Sequence, residues 1–316
     1  MKTFWLNFHL GYACRHSGAC CSSGWPIPVE HDRVIPIRAL AGRADREWLS
    51  PVTDAPSDVA GTLALQAGGH CVFHGAGGCG VYPTRPSSCV HFPYVCLIDA
   101  RGVHVTLSHY CPTAASMLFD DRGPIQIVEG PSPVAGDDVP EGLDARESLP
   151  PTSAKSTAGK PNPGNTRLMS WHELGEWERE AVAGSAVEAG PPSLALFESA
   201  RAAVPAPLAW PPAPDHLERT WTERVAPGWP MFAPVVARYR AAKVFASWAT
   251  YLGDGPASVL RLADIAVAVL EVEVVRQCLE AGRPLDAWLL KQAIRQADLL
   301  LVHYADGRVL SSGTSS

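Results

Sequence analysis

The sequence predicts an α+β protein: a small, irregular cysteine-cluster metal domain followed by an all-α helical bundle domain. Three features predict it. Eight of the nine cysteines fall within the first 111 residues of a 316-residue chain. Residues 166–306 carry apolar positions at helical spacing, punctuated by capping residues and stops. Between these regions, 129–165 is rich in Pro, Gly, Ser, Thr and charge and shows no period, so it reads as a linker or as a flap over the cysteine site.

Residues 1–128 are expected to be the metal domain. Short strands are expected at Trp25 to Val29, Cys71 to His74, Val103 to Leu107 and Ile125 to Val128, with Gly68, Gly69, Gly75, Gly77 and Gly78 breaking the chain between them. Short elements suit a domain in which ligands replace part of the core. In 166–306, Ser170 and Glu173 form a capping-box signature for a helix running toward Ala183. Ser193 is placed to cap a short helix through Ala203, and Asp215 with Glu218 to open another. Pro227 and Pro230 are expected to break the chain, with helix resuming from Val235 to Leu252. Pro256 opens a long helix to about Ala281, stopped by Gly282 and Pro284. Asp286 caps the last helix, through Tyr304. Residues 307–316 read as a disordered tail.

Composition narrows the function. The net charge of -6 gives no bulk attraction to nucleic acid or acidic lipid. The most apolar stretch, Leu262 to Val275, is interrupted by Asp264, Glu271 and Glu273, whereas a membrane span needs about 20 apolar residues with few charges. The N-terminus has no small-residue cleavage site after its apolar run. A cytoplasmic protein is expected, with no nucleic-acid or membrane partner, a protein substrate as the one partner in view, and an open oligomeric state. In a reducing compartment, clustered cysteines indicate metal rather than disulfides.

The candidate metal ligands are Cys14, Cys20, Cys21, Cys71, Cys79, Cys89, Cys96 and Cys111. Thiolates select zinc, cuprous copper or iron–sulfur. No C-x-x-C pair exists in the chain, so an ordinary zinc ribbon is disfavoured. An iron–sulfur cluster on scattered cysteines, or an irregular zinc site, stays open. Eight thiols exceed the four one site needs. Adjacent Cys20 and Cys21 would point to opposite faces of an extended chain, so both serve one ion only if the backbone turns sharply. Cys278 lies on an apolar helix face and reads as core.

Two further residues are candidates for holding a cofactor. Arg85, extended before Pro86, is placed to donate to cluster sulfurs, to fix a substrate carboxylate, or to sit in a structural ion pair. His109, two residues before Cys111, is the best placed histidine. Trp171, Trp177, Trp221, Trp229, Trp248 and Trp288 read as bundle packing, with a cofactor-lining role open for Trp229. No nucleotide loop or H-E-x-x-H motif is present.

The cysteine blocks resemble the CxxCxxCC family of zinc- or iron-chelating cysteine-cluster proteins. Its pattern is F-x-C-x-x-C-G-x-C-C, then C-x-[FL], then C-x-[IV]-Y-x-x-R-P-x-x-C-x-x-[FY]-P. Cys71, Cys79, Tyr82, Arg85, Pro86, Cys89, Phe92 and Pro93 match the second half. Cys14, Gly18, Cys20 and Cys21 match the first, but Ser17 stands where the family has a cysteine. The resemblance implies chelation through these thiols, with Cys96 or Cys111 replacing the missing ligand. The run Cys20 to Ile27 also looks like the CC-x-G-W-x-I segment of the flagellin lysine-N-methylase branch, with one residue inserted. That likeness implies a protein lysine methylase; an enzyme of that kind or a redox-type modifier stands as the alternative to a non-catalytic metal-binding or scaffold protein.

Overall fold

The structure, a computed structural model, describes residues 1–133, 142–157, 160–204 and 210–312. It is α+β. A five-stranded mixed sheet runs, from one edge to the other, Gly142–Asp144, Tyr94–Asp99, Gly102–Leu107, Thr3–Leu6, Ile127–Glu129. Tyr94–Asp99 and Gly102–Leu107 form an antiparallel hairpin, with Cys96 opposite Val105. Thr3–Leu6 lies parallel to Gly102–Leu107, and Gly142–Asp144 parallel to Tyr94–Asp99. The N-terminal strand therefore pairs with a segment about 100 residues away.

One face of this sheet shares a core with the helices. Leu6, Phe8 and Leu97 are buried in the same apolar cluster as Trp221, Trp229, Tyr239, Leu270 and Leu290. The other face carries Trp5, Cys96, Ile98, Val105 and Leu107, closed by Cys111, Ala114 and Met117. A third cluster, around Val29, Ile37, Trp48 and Phe73, holds together the short cysteine-bearing segments. It includes a three-stranded sheet (Pro28–Glu30, Val59–Leu63, Leu49–Ser50) and the helix His31–Ala41.

Several helices follow their sequence signals. Ser170 and Glu173 form both bonds of the capping box for Trp171–Ala183. Ser193 caps Leu194–Ala202, and Asp286 caps Ala287–Asp298 through the Leu289 N–H at 2.9 Å. The longest helix, Pro256–Ala281, ends at Gly282 in the left-handed region. Among the described residues no helix is long and apolar enough to cross a membrane.

Other expectations need correction. Asp215 caps nothing: the short helix Leu217–Thr220 starts after His216, itself left-handed at φ 59°. Pro230 does not break the chain. It sits in the first turn of Trp229–Val244, where its missing N–H has no bond to lose. The expected break is there, but as a turn at 226–228 around Pro227, and a second break follows at Phe245 and Ala246, the latter with φ 55°. Trp229 is buried within this helix and packs at a tilt against Trp221, with ring centres 5.0 Å apart. Trp288 is exposed and Trp248 nearly half so, rather than packed inside. Cys71 to His74 is a turn; the strands there are His74–Gly75 and Gly78–Cys79.

Within 129–165, Gly142–Asp144 is the edge strand of the main sheet. Thr152–Thr157 and Lys160–Leu168 pair as a hairpin. Residues 134–141 and 158–159 of that segment lie outside the described residues. In the tail, Gly307–Ser312 is a helical turn with Leu310 buried, because Leu310 closes the helical core. Residues 313–316 lie outside the described residues.

Candidate metal centre

The centre is built from turns. Gly18, at φ 73°, opens a tight turn over Ala19–Cys21 in which the Cys21 N–H donates to the Gly18 carbonyl at 2.9 Å. That turn is the sharp bend adjacent cysteines need. It brings the Cys20 and Cys21 sulfurs to 4.0 Å of each other. Across a tetrahedral ion with bonds of about 2.3 Å, two sulfurs stand about 3.8 Å apart. Gly18 is required on two counts, since a Cβ there would meet His74 Nε2 at 2.4 Å.

Cys71 is stitched to this turn by its N–H, which donates to the Cys21 carbonyl at 2.7 Å. The chain then folds back through the hairpin in which His74 pairs with Cys79. The result packs Cys21 and Cys71 in one cluster with Cys20 and Cys79 against them, and the Cys21 thiol interacts electrostatically with those of Cys20, Cys71 and Cys79. Interaction with them pushes the Cys21 thiol far up. The same interactions pull Cys20 and Cys71 down, and Cys79 down to about 6. The four titrate as one unit: one proton, held on Cys21, lets its neighbours ionise. A cation among the sulfurs would do the same work more strongly. Burial, then the charges of Cys20, Cys71 and Cys79, push the Cys89 thiol up, so it belongs to the same electrostatic neighbourhood.

Arg85 stands at the edge of this group. Its guanidinium lies 3.8 Å from the centre of the Tyr82 ring. It makes no ion pair, and its buried Nε has no hydrogen-bond partner among the described residues. Its positive charge favours ionised Cys20, Cys79 and Cys89. Among the described residues Arg85 forms no ion pair, and it lines the same cavity as Cys20, Cys79 and Cys89.

A cavity of about 410 Å³ opens beside the cluster, lined by Cys14, Cys20, Cys21, Cys79, Cys89 and Cys111 together with Tyr12, Ser17 and Arg85. Cys14 is exposed, and its sulfur accepts the His16 N–H at 3.4 Å. The Cys111 sulfur is 3.4 Å from the Tyr12 hydroxyl. A narrower cleft of about 230 Å³ reaches Cys20 and Cys89 from another side, between Trp25, Phe92 and His303. Trp25 and His303 stack there at 4.3 Å, tying the cysteine region to the C-terminal helices.

The model of the CxxCxxCC family, described as a "putative zinc- or iron-chelating domain", matches residues 13–112. The match spans about a third of the chain. No curated protein and no solved structure matches the chain.

The matched region takes in all eight candidate thiols, but the structure does not bring all eight together. Cys20, Cys21, Cys71, Cys79 and Cys89 meet, and Cys14 and Cys111 share their cavity. Cys96 stands apart. Strand alternation turns it into the sheet core beside Trp5 and Val105, and burial alone pushes its thiol up to about 12. Cys278 is likewise buried in the helical core. Among the described residues no three His, Cys, Asp or Glu side chains stand as a ready-made coordination shell; the sulfurs contact one another instead. In kind, the donor set fits a soft ion such as zinc or the irons of an iron–sulfur cluster.

His109 does not join these thiols. It is fully buried between sheet and helices. Its backbone N–H donates to Asp298 Oδ2 at 2.6 Å, its Nδ1 lies 3.0 Å from the same oxygen, and its Nε2 lies 3.1 Å from His9 Nε2. Lys243 Nζ pairs with Asp298 Oδ1 at 2.5 Å. Burial pushes the Asp298 carboxyl up, but Lys243 and His109 outweigh it and hold it below the usual range. Burial keeps both histidines neutral. Sequence reasoning flagged His109 but missed Asp298, Lys243 and His9, which come from three distant segments with no spacing signal to link them.

Proposed function

We propose that this protein binds zinc or an iron–sulfur cluster through the thiolates of Cys20, Cys21, Cys71 and Cys79, with Cys89 as the nearest further ligand. Cys14 and Cys111 are then outer thiols facing the cavity. The observation that carries the reading is the packing of Cys20, Cys21, Cys71, Cys79 and Cys89 into one small cluster, with the Cys20 and Cys21 sulfurs 4.0 Å apart. When bound, the metal supplies either structural closure or a Lewis-acid or redox centre. The chain's own residues supply the thiolates, and Arg85 offsets part of their charge. Cys96 and Cys278 have no part in it.

The test is metal content and the visible spectrum after anaerobic purification, repeated with single Cys→Ser changes. Loss of most of the metal is expected for Cys21→Ser, Cys71→Ser and Cys79→Ser. Full occupancy is expected for Cys96→Ser and Cys278→Ser. Retained metal in Cys21→Ser and Cys79→Ser sinks the assignment.

A second reading builds on the first: a modifying enzyme, of the protein lysine methylase kind, acting on a protein substrate at this centre. The cavity beside the sulfurs favours it over a closed structural site, since a purely structural ion needs no chamber of 410 Å³ at its side. Transfer of a methyl group from added S-adenosylmethionine to the amine of a lysine-bearing protein, leaving S-adenosylhomocysteine and a proton, by the metal-loaded chain but not by Cys79→Ser, is the outcome that supports this reading. Its absence over a range of substrates leaves the non-catalytic metal-binding protein.

A further inference from the structure

A cavity of about 350 Å³ lies away from the metal ligands, where residues 184–196 and the Trp229–Val244 helix meet the long helix Pro256–Ala281. The long helix lines it with Asp264, Val267, Ala268 and Glu271. These positions follow the i, i+3, i+4, i+7 spacing of one helix face. Asp264 and Glu271 stand at the two ends of that stripe, about 10 Å apart along the axis. Asp264 is exposed, whereas Glu271 is only 6% exposed. Val187 and Leu196 extend the apolar wall.

Among the described residues the Glu271 carboxyl group has no hydrogen bond and no ion pair. Its oxygens are not sealed from solvent, and this cavity is the open space that Glu271 lines. The other polar groups of the wall are engaged or peripheral. Arg240 pairs with Asp264 at 2.9 Å. The Ser193 hydroxyl caps Leu194–Ala202, and the charged Glu198 and Arg201 of that helix pair with each other. Glu188 is exposed.

The charge of the wall selects the occupant. It carries the carboxyl groups of Glu188, Asp264 and Glu271 against the one guanidinium of Arg240. An anion finds no free cation there. A divalent metal needs several oxygen ligands at once, and among the described residues no three His, Cys, Asp or Glu side chains gather to supply them. A neutral molecule would displace water from Glu271 and return no charge to its carboxylate. A primary ammonium brings three donors and a positive charge, and a short hydrocarbon chain behind it suits Val187, Leu196 and Val267.

We propose that this cavity binds a primary ammonium carried on a short hydrocarbon chain, with Glu271 as its counter-ion. The site is independent of the sulfur cluster and needs no metal.

The experiment is calorimetric titration of the full chain with n-butylamine, with 1-butanol and butyrate as neutral and anionic controls. One equivalent of butylamine should bind. Burial pushes the Glu271 carboxyl up to about 8, so at pH 7 the ammonium displaces a proton. Binding at pH 7 should release most of one proton, read from the buffer dependence of the heat. It should tighten about tenfold by pH 9, as the ionised fraction rises. Glu271→Gln and Glu271→Leu should each weaken binding tenfold or more, roughly the value of a hydrogen bond to a charged group, and abolish the proton release. Thermal unfolding establishes that both variants fold. Tighter binding of Nα-acetyl-lysine amide than of butylamine identifies a lysine side chain as the source of the ammonium, and weaker binding a free amine. Equal binding of butanol, or tighter binding of butyrate, overturns the cation. No binding of butylamine, or binding unchanged in both variants, overturns the site.

Discussion

The thiols around Cys21 and the charges around Asp298 are two buried titratable clusters built on opposite plans. The sulfurs sit on turns and a two-residue hairpin, at the wall of an open cavity, with a small apolar cluster behind them. Asp298, Lys243 and His109 sit within a large core of helices and sheet, and every strong partner is supplied by the chain. The second cluster balances its charge within the chain, with Lys243 and His109 both on Asp298. The first is satisfied only by sharing a proton, and its neighbours are crowded thiols of like tendency. A polar cluster that is complete serves packing and uniqueness of the fold. One that is incomplete and open points outward, to something bound.

The sharpest way to break this contrast is Lys243→Met. It leaves the Asp298 carboxylate buried without its cation, and a loss of about 3–5 kcal/mol in denaturant unfolding is expected. Asp298→Asn added to that variant should restore part of the loss. If Lys243→Met costs nothing, the Asp298 cluster is not the self-contained element described. Second, metal loading should slow amide hydrogen exchange about tenfold or more at 18–21 and 71–79, yet leave 256–281 unchanged. Ligation stabilises the region that was incomplete and not the one that was closed. Equal protection of both regions would erase the distinction between them.

The smallest effect concerns a group that neither cluster uses. Burial pushes the Glu271 carboxyl up to about 8 from its usual 4.5. Between these pH values the folded chain holds a proton that the unfolded chain has released, so stability falls as pH rises through that window. Glu271→Gln should gain roughly 1–2 kcal/mol at pH 8 and nothing at pH 4, with the pH dependence flattened between. An unchanged slope in denaturant midpoints would show that Glu271 is well solvated.

Signals confined to a few neighbouring residues were legible in the sequence. The Ser170 capping box, the Asp286 cap and the Pro256-to-Gly282 helix each depend on residues within one or two turns. Strand Thr3–Leu6 was not legible, because its meaning lies in a parallel partner 100 residues away. Tyr94–Asp99 was masked by Cys96, whose spacing from Cys89 suits a ligand while strand alternation sends it into the core. Pro230 misled because proline reads alike as a breaker and as a first-turn residue. The match to the CxxCxxCC pattern identified the thiol-bearing domain. The exclusion of Cys96 and the separation of His109 from the sulfurs came only with the fold, since spacing along a chain does not say which side of a strand a residue faces.

The Gly18 and His74 contact has a consequence for how this chain can vary. With a Cβ at 18 only 2.4 Å from His74 Nε2, a side chain at 18 would displace His74 as well as strain its own left-handed backbone. The Cys20–Cys21 turn and the His74–Cys79 hairpin are thus keyed to each other by shape before any ion joins them. Replacing Gly18 should therefore disturb two turns more than 50 residues apart at once, and trimming His74 should relieve the contact but not the cost of a side chain on a left-handed backbone.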